Sequence, residues 1–372
     1  MGLIIRTATR TSQEQIRRVS AVRRGAARGL VARVYAQVER DFGMLAPPVS
    51  LHAPAAGPLA ASWLMLRETL MATGLVQRAA KEAVATAVSV GNACPYCVQV
   101  HSGTLHGLVR AADAVAIAAD RVGSVGDDGL RDVAAWARAG GTAGSAARHG
   151  LPRPLEQAPE LIGVAVTFQY LNRMVHLFLP DSPLPPTVPA AARGAFLRLF
   201  GRLMRPAASR VHRPGDSLDL LPPAALPADL SWAAGSATVA EAFARSAAAI
   251  EVAGERSVPA PVRELVRAEL AGWQGQPTGV SRAWVEDAVA GLATAERPAG
   301  RLALLTAKAA YQVDQAVIDG FRTGGADDRA LIELTSWASL AAARRAGGWL
   351  WTAAASPPVA QAPGPGAGPG QV

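Results

Sequence analysis

Both cysteines of the chain lie in one short stretch, residues 81–106, which reads KEAVATAVSVGNACPYCVQVHSGTLH. Cys94 and Cys97 are separated only by Pro95 and Tyr96. A single closely spaced pair cannot supply the set of cross-links that holds a disulfide-rich scaffold together. The fold therefore does not depend on disulfides, and a pair with this spacing is typical of a redox-active or metal-binding site.

The composition favours helices over sheets. Half of the residues are apolar, but only 5% are aromatic. Alanine, leucine and arginine, which have high helix propensity, dominate the long stretches, whereas isoleucine, tyrosine and threonine are sparse. We predict an all-α fold, and 372 residues are enough for two domains or for one large helical domain with extensions.

Apolar residues recur at helical spacing along most of the chain. The first predicted helix is amphipathic and covers residues 16–42, and the second covers residues 59–73 with Gly74 as its C′ residue. The stretch with the cysteines is predicted to contain two helices, residues 78–90 and 94–109. Further helices are predicted at residues 160–179, 190–204, 232–252, 261–273, 283–293, 301–323 and 327–351.

A weak internal repeat indicates a duplication. The segments FQYLNRMVHLFL and SLAAARRAGGWL share an arginine, Arg173 or Arg344, six residues before a leucine. In the second half, Tyr311 and Asp314 occupy the positions nearest to those of the cysteines. Repeats of this length indicate duplicated units that share a core. The predicted parts are a half with the cysteines, a degenerate second half and a disordered Pro/Gly-rich tail, over residues 1–190, 191–355 and 356–372.

The spacing around the cysteines is compatible with thiol chemistry. Cys97 and His101 are four residues apart, so they lie on one face of a helix that begins near Pro95. Proline suits the first helical position, which places Cys97 in the first turn, where the helix dipole stabilises a thiolate. We therefore expect an acidic thiol that attacks a peroxide or a disulfide, with the second cysteine resolving the product as an intramolecular disulfide.

Two alternatives remain open at this level. Cys94, Cys97 and His101, perhaps with Glu82, could make a four-ligand zinc site, although the usual structural zinc sites have a longer ligand framework. The cysteines could also be apolar fillers of a core, with the histidine as a hydrogen-bonded core residue.

The same residues resemble the signature of a known superfamily. Glu82, twelve residues before Cys94, followed by Cys94-Pro95-Tyr96-Cys97 and His101, is similar to the motif of the alkylhydroperoxidase AhpD and carboxymuconolactone decarboxylase superfamily. The resemblance is most evident over residues 51–108 and is looser beyond. It implies an AhpD-like all-helical fold with the site between antiparallel helices, and homo-oligomers built by helix packing.

The resemblance also implies roles for these residues. Glu82 and His101 would form a proton relay that deprotonates Cys97, and Cys97 would become a sulfenic acid that condenses with Cys94. An external dithiol would reduce the disulfide, without a cofactor or a metal. The residue before the second cysteine, often a histidine in AhpD, is Tyr96 here, which puts an auxiliary relay and the usual reductant in doubt. The alternative is a redox-sensing or scaffold protein of the same fold without peroxidase turnover.

Other polar residues receive more ordinary interpretations. We expect His52 at the surface or at the entrance of the site, and His106 on a face that points elsewhere, because it lies about 140° further round the helix than His101. Asn92 is expected to cap a helix or a turn. Asn172 and Arg173 lie in an apolar segment and need partners if they are buried.

Charge and hydropathy limit the remaining possibilities. The net charge is +8, but arginines on solvated helix faces account for it, and no nucleic-acid-binding pattern accompanies them. There is no secretory signal and no run of eighteen apolar residues, so we expect no membrane partner and a cytoplasmic location. The expected partners are a small hydroperoxide, a dithiol or disulfide-reductase partner, and further copies of the chain.

Overall fold

The computed structural model describes residues 13–184, 188, 194–195, 199, 201–202 and 205–355. In this part of the chain the regular structure is helical, without a β-strand, so the prediction of an all-α fold is confirmed. None of the described helices combines the length and the hydropathy that a bilayer span requires. The tail predicted at residues 356–372 lies outside the described residues, as does most of the helix predicted at residues 190–204.

The α-helices have the following bounds. They are α1, Gly29–Phe42; α2, Pro47–Ser50; α3, Ala56–Leu66; α4, Arg78–Gly91; α5, Pro95–His106; α6, Ala111–Ala118; α7, Asp128–Ala139; α8, Ala143–Arg148; α9, Ala158–Phe178; α10, Ala237–Ser257; α11, Ala260–Gly272; α12, Ala283–Val289; α13, Arg297–Ala309; α14, Gln315–Arg322; and α15, Asp328–Ala355. Short 3-10 helices occur at Arg24–Ala26, Val122–Ser124, Leu155–Gln157, Leu218–Leu220, Ala228–Ala233 and Ala310–Gln312. A π-helical turn, Arg67–Met71, continues α3.

The centre of the fold is α9. Every residue of α9 except His176 is buried, including the polar residues Gln169, Asn172 and Arg173, so other elements of the fold surround this helix. It packs against α15, α4 and α3. Buried apolar side chains from both halves of the sequence form one hydrophobic core. The division at residues 190 and 191 and the duplication stay predictions, although the two repeat segments lie on α9 and α15, which pack against each other.

Two predicted helices differ most from the structure in their bounds. The helix predicted at residues 16–42 begins only at Gly29, which has a left-handed φ of 53° and follows an extended Arg28. The preceding segment instead packs Ile16 and other apolar side chains against the core. The helix predicted at residues 301–323 is divided into α13 and α14, because the Asp314 side chain caps α14 by accepting a hydrogen bond from Val317 N at 3.0 Å.

The role predicted for Gly74 is wrong. The preceding helix ends earlier, in the π-helical turn Arg67–Met71. Gly74 instead faces the Glu160 carboxylate, which accepts hydrogen bonds from Leu75 N at 2.7 Å and Val76 N at 3.2 Å. A Cβ at this position would collide with that carboxylate. Gly74 is therefore needed for the close approach of α9 and not for a helix cap.

Candidate active site

The two cysteines lie at a sharp corner between α4 and α5. Helix α4 ends at Gly91, and Asn92 is its C-cap residue. Ala93 has a left-handed φ of 49°, which is unusual for a residue with a Cβ. Helix α5 begins at Pro95, as predicted, with Cys94 as the N-cap residue. The corner thus fixes both thiols at the N-terminus of α5.

The two thiols face each other inside the protein. Both are free, and their Sγ atoms are 2.9 Å apart. Cys94 is 1% exposed and Cys97 is 3% exposed. Burial raises the pKa of Cys97 well above its ordinary value, and the adjacent Cys94 raises it further, whereas a hydrogen bond with Asn172 lowers it. The expected acidic thiol is therefore wrong for the resting protein, because a buried thiolate loses its hydration.

Glu82 and His101 form a hydrogen-bonded pair next to the thiols. His101 Nδ1 lies 2.8 Å from Glu82 Oε2. The other carboxylate oxygen accepts hydrogen bonds from Arg78 Nε at 2.9 Å and Nη2 at 2.7 Å. Burial alone would raise the pKa of Glu82, but the charges of Arg78 and His101 outweigh it, and the pKa lies below its ordinary value. The carboxylate is therefore ionised and can hold a protonated imidazole.

Cys97 and His101 line the same cavity, which has a volume of about 300 Å³. Glu82 and Cys94 do not line the cavity. Glu82 lies behind His101, and Cys94 lies behind Cys97. The His101 and Phe168 rings pack in a T-shaped arrangement, with ring centroids 4.5 Å apart and planes at 83°. The wall is mostly apolar and includes Phe42, Met44, Leu66, Leu171 and Leu184. A small molecule with an apolar body would fit this environment.

A network of amide and hydroxyl groups supports the corner from α9. Asn172 donates a hydrogen bond to Ser89 Oγ at 3.1 Å and accepts one from Asn92 Nδ2 at 2.9 Å. Asn172 also contacts the Cys97 thiol. The carbonyl oxygen of Asn92 lies 3.0 Å from His176 Nε2. The network joins both sides of the corner to α9, so the thiols are held in fixed positions.

The arrangement gives no support to the zinc alternative. In the described part of the chain, no three histidine, cysteine, aspartate or glutamate side chains converge where a metal ion could bind. Glu82 already uses both carboxylate oxygens, on Arg78 and His101. The filler alternative correctly predicts buried cysteines, but it does not explain why Cys97 shares a cavity with His101.

Comparison with known proteins identifies a relative. The chain is 37% identical over 330 residues to a curated protein named alkyl hydroperoxide reductase Rv2159c, from Mycobacterium tuberculosis, and the match covers 88% of this chain and 92% of the relative. The chain belongs to the family of this alkyl hydroperoxide reductase. No family model matches the sequence, and no solved structure matches it.

Several residues that complete the site of this family member were not predicted from the sequence. Arg78 stands four residues before Glu82, a spacing at which a helical ion pair could have been recognised. Asn172 was noted only as a polar residue in need of partners. Nothing in the sequence indicated that Phe168 and Gln15 belong to the site. The Gln15 side chain accepts a hydrogen bond from the Tyr96 hydroxyl at 3.0 Å and lines the cavity.

The other histidines of the first half lie outside the cavity beside Cys97. His106 does not line it, in agreement with its predicted direction. His52 is neither at the surface nor at the entrance: it is fully buried. Its Nδ1 lies 3.1 Å from Val49 O, and its Nε2 lies 2.8 Å from the Tyr170 hydroxyl. Burial lowers the pKa of His52 to about 4, so it is a neutral structural residue.

Proposed function

We propose that this protein is a thiol-dependent peroxidase of the alkylhydroperoxidase type, within the AhpD-like and carboxymuconolactone decarboxylase superfamily. The observation that carries the proposal is that Cys97 and His101 open into one apolar cavity, while Cys94 lies behind Cys97 with its Sγ 2.9 Å away. The name of the Mycobacterium tuberculosis relative, alkyl hydroperoxide reductase, supports the same type of reaction.

The first half of the reaction oxidises Cys97. Because His101 Nδ1 faces Glu82, the other ring nitrogen, Nε2, takes the proton of the Cys97 thiol. The thiolate attacks the terminal peroxide oxygen, so an S–O bond forms, the O–O bond breaks and an alkoxide leaves. The alkoxide takes the proton from His101 and departs as an alcohol. Cys97 is then a sulfenic acid.

The second half returns the enzyme to its starting state. The Cys94 sulfur attacks the sulfenic sulfur of Cys97, so an S–S bond forms and hydroxide leaves, taking the Cys94 proton to become water. An external dithiol then supplies two electrons and two protons to reduce the disulfide. The cycle needs no metal and no cofactor.

The proton relay is needed because the Cys97 thiol is buried. Since burial raises the pKa of Cys97, the thiol does not ionise by itself at neutral pH, and a base must remove its proton. His101 serves as that base, and the ionised Glu82 stabilises the imidazolium that forms. Arg78 keeps the carboxylate ionised and fixes its position through two hydrogen bonds.

The cavity favours small alkyl hydroperoxides over charged peroxides. Its volume of about 300 Å³ is at the lower end of the range for small-molecule sites, roughly 300–1,000 Å³. Apolar side chains such as Phe168 and Leu171 offer no partner for a charged group. We also propose that the protein forms a homo-oligomer. We place it in the cytoplasm, where dithiol reductants are abundant.

The test compares two isosteric variants, Cys97→Ser and Cys94→Ser, in the consumption of tert-butyl hydroperoxide with dithiothreitol as reductant. Each variant replaces one buried thiol with a hydroxyl group, so each controls for the folding of the other. Cys97→Ser is expected to abolish turnover, and Cys94→Ser to leave a sulfenic acid that dimedone traps. Full turnover by Cys97→Ser would refute the assignment.

The same assay separates the peroxidase from the redox-sensing or scaffold alternative. A peroxidase consumes many equivalents of hydroperoxide for each chain. A sensor forms the Cys94–Cys97 disulfide with one equivalent of hydroperoxide, and dithiol reduces that disulfide too slowly to sustain consumption. A scaffold shows neither oxidation of the pair nor consumption of peroxide.

A further inference from the structure

A second cavity, with a volume of about 350 Å³, lies on a different face of α9. Phe168 and Leu171 face the cavity beside Cys97, whereas Gln169, Arg173 and His176 face the second cavity. At 100° per residue the two sets lie roughly 140° apart around the helix. The opposite wall comes from the second half of the chain. It includes Trp273, Lys308, Tyr311 and Trp349.

The lining of the second cavity is basic. It includes Arg138, Arg173 and Lys308, and none of its lining residues is an aspartate or a glutamate. Arg138 and Lys308 each pair with a carboxylate outside the lining, Asp120 at 2.9 Å and Glu269 at 2.9 Å. Their charges are therefore partly compensated, and the charge that lacks a counterion is that of Arg173.

Arg173 is 9% exposed, and no carboxylate pairs with it among the described residues. Its Nε donates to Ala307 O at 2.9 Å, and its Nη1 donates to the backbone and side-chain oxygens of Gln169. Nη2 remains without an acceptor in the described part of the chain. Burial lowers the pKa of Arg173 to about 10, so the guanidinium is still charged at neutral pH. A buried charge of this kind is costly unless a counterion approaches it.

Flat aromatic surfaces adjoin this charge. The Arg173 guanidinium lies 5.9 Å from the centre of the Trp273 ring, in a cation–π contact. The rings of Trp273 and Trp349 are 5.3 Å apart at 57°, and both line the cavity. A guanidinium beside two indole rings suits a ligand with an oxyanion at one end and a planar body.

We infer that the second cavity binds a small organic oxyanion, a carboxylate or a phosphate ester, with the oxyanion on Arg173 and a planar group against Trp273 and Trp349. This inference goes beyond the proposed peroxidase reaction and does not depend on it. The site adjoins the corner that carries the thiols, because Gly91, Asn92 and Ala93 also line the cavity.

The test measures ligand binding to the full-length reduced protein by isothermal titration calorimetry. The probes are benzoate, phenyl phosphate and the neutral analogue benzamide. At least one of the two anions is expected to bind saturably, at least tenfold more tightly than benzamide. The tighter of the two anions identifies the carboxylate or the phosphate as the preferred group.

Variants then locate the binding site. Arg173→Gln is expected to weaken anion binding at least tenfold. Arg33→Gln is the matched control and should leave binding unchanged, since Arg33 forms an exposed ion pair with Asp219 at 2.7 Å and lines neither cavity. Lys308→Gln, at the cavity wall, serves as a second variant and should weaken binding about threefold or more.

Circular dichroism verifies that each variant is folded. If Arg173→Gln does not fold, the result with Lys308→Gln decides. The inference is overturned if neither anion binds saturably, if benzamide binds as tightly as the anions, or if the folded cavity variants bind the anion as tightly as the wild type.

Discussion

Replacement of Glu82 by glutamine removes the negative charge of the relay and keeps the size of the side chain. In the proposed reaction His101 becomes positively charged when it takes the Cys97 proton, and Glu82 Oε2 lies 2.8 Å from its Nδ1. Glu82 is 1% exposed, so water cannot replace the lost interaction. A hydrogen bond to a charged group contributes about 1.5–3 kcal/mol. Since about 1.4 kcal/mol is tenfold in rate, kcat/KM should fall roughly 10- to 150-fold.

The assay for Glu82→Gln is initial-rate consumption of tert-butyl hydroperoxide at saturating dithiothreitol. Glu333→Gln is the matched control, because the Glu333 carboxylate is also buried and held by arginines, Arg256 and Arg329, but lines neither cavity. The control should lose stability without losing activity per folded molecule. The reasoning is refuted if folded Glu82→Gln keeps a kcat/KM within about twofold of the wild type.

Two further predictions concern His52 and Asn172. Burial lowers the pKa of His52 from 6.5 to about 4. The contribution of neutral His52 to the free energy of unfolding is therefore fully present above pH 6.5. It is lost as the pH falls to about 4, by about 3 kcal/mol in total. Urea unfolding should show that His52→Gln lacks this loss, and an identical pH dependence in wild type and variant would exclude His52 as its source. Asn172→Ala should raise the pKa of Cys97 further and slow its alkylation by iodoacetamide about tenfold, measured against a Cys94→Ser background. An unchanged alkylation rate would show that Asn172 does not support the thiolate.

Local features of the fold could be predicted because they depend on neighbours within a turn or two. Proline at the start of α5 and the mainly apolar sequence of α9 indicate those helices without any knowledge of the tertiary structure. The helix predicted at residues 16–42 begins only at residue 29, because Gly29 has a left-handed φ and the segment before it packs on the core instead. Packing of that kind is set by the whole fold, which a short window of sequence does not contain.

The candidate site could likewise be predicted only where it depends on residues that are close together in the sequence. Glu82, Cys97 and His101 lie on adjacent helices at spacings that are visible in the sequence, and the structure brings Glu82 to His101. Phe168 and Asn172 lie far away in the sequence and reach the site only because α9 passes behind it. The direction of the Cys97 pKa shift was also missed, because burial depends on that tertiary packing.

Helix α9 presents separate surfaces to the two cavities. Substitutions at Phe168 or Leu171 could change the range of hydroperoxides without altering the basic cavity, and substitutions at Gln169 or Arg173 could do the reverse. Asn172 and His176 are the exceptions. Asn172 contacts Cys97 and also Asn92, which lines the basic cavity, and His176 contacts Asn92 from within that cavity. The two pockets can therefore diverge independently in evolution or be engineered separately, provided that these two residues are kept.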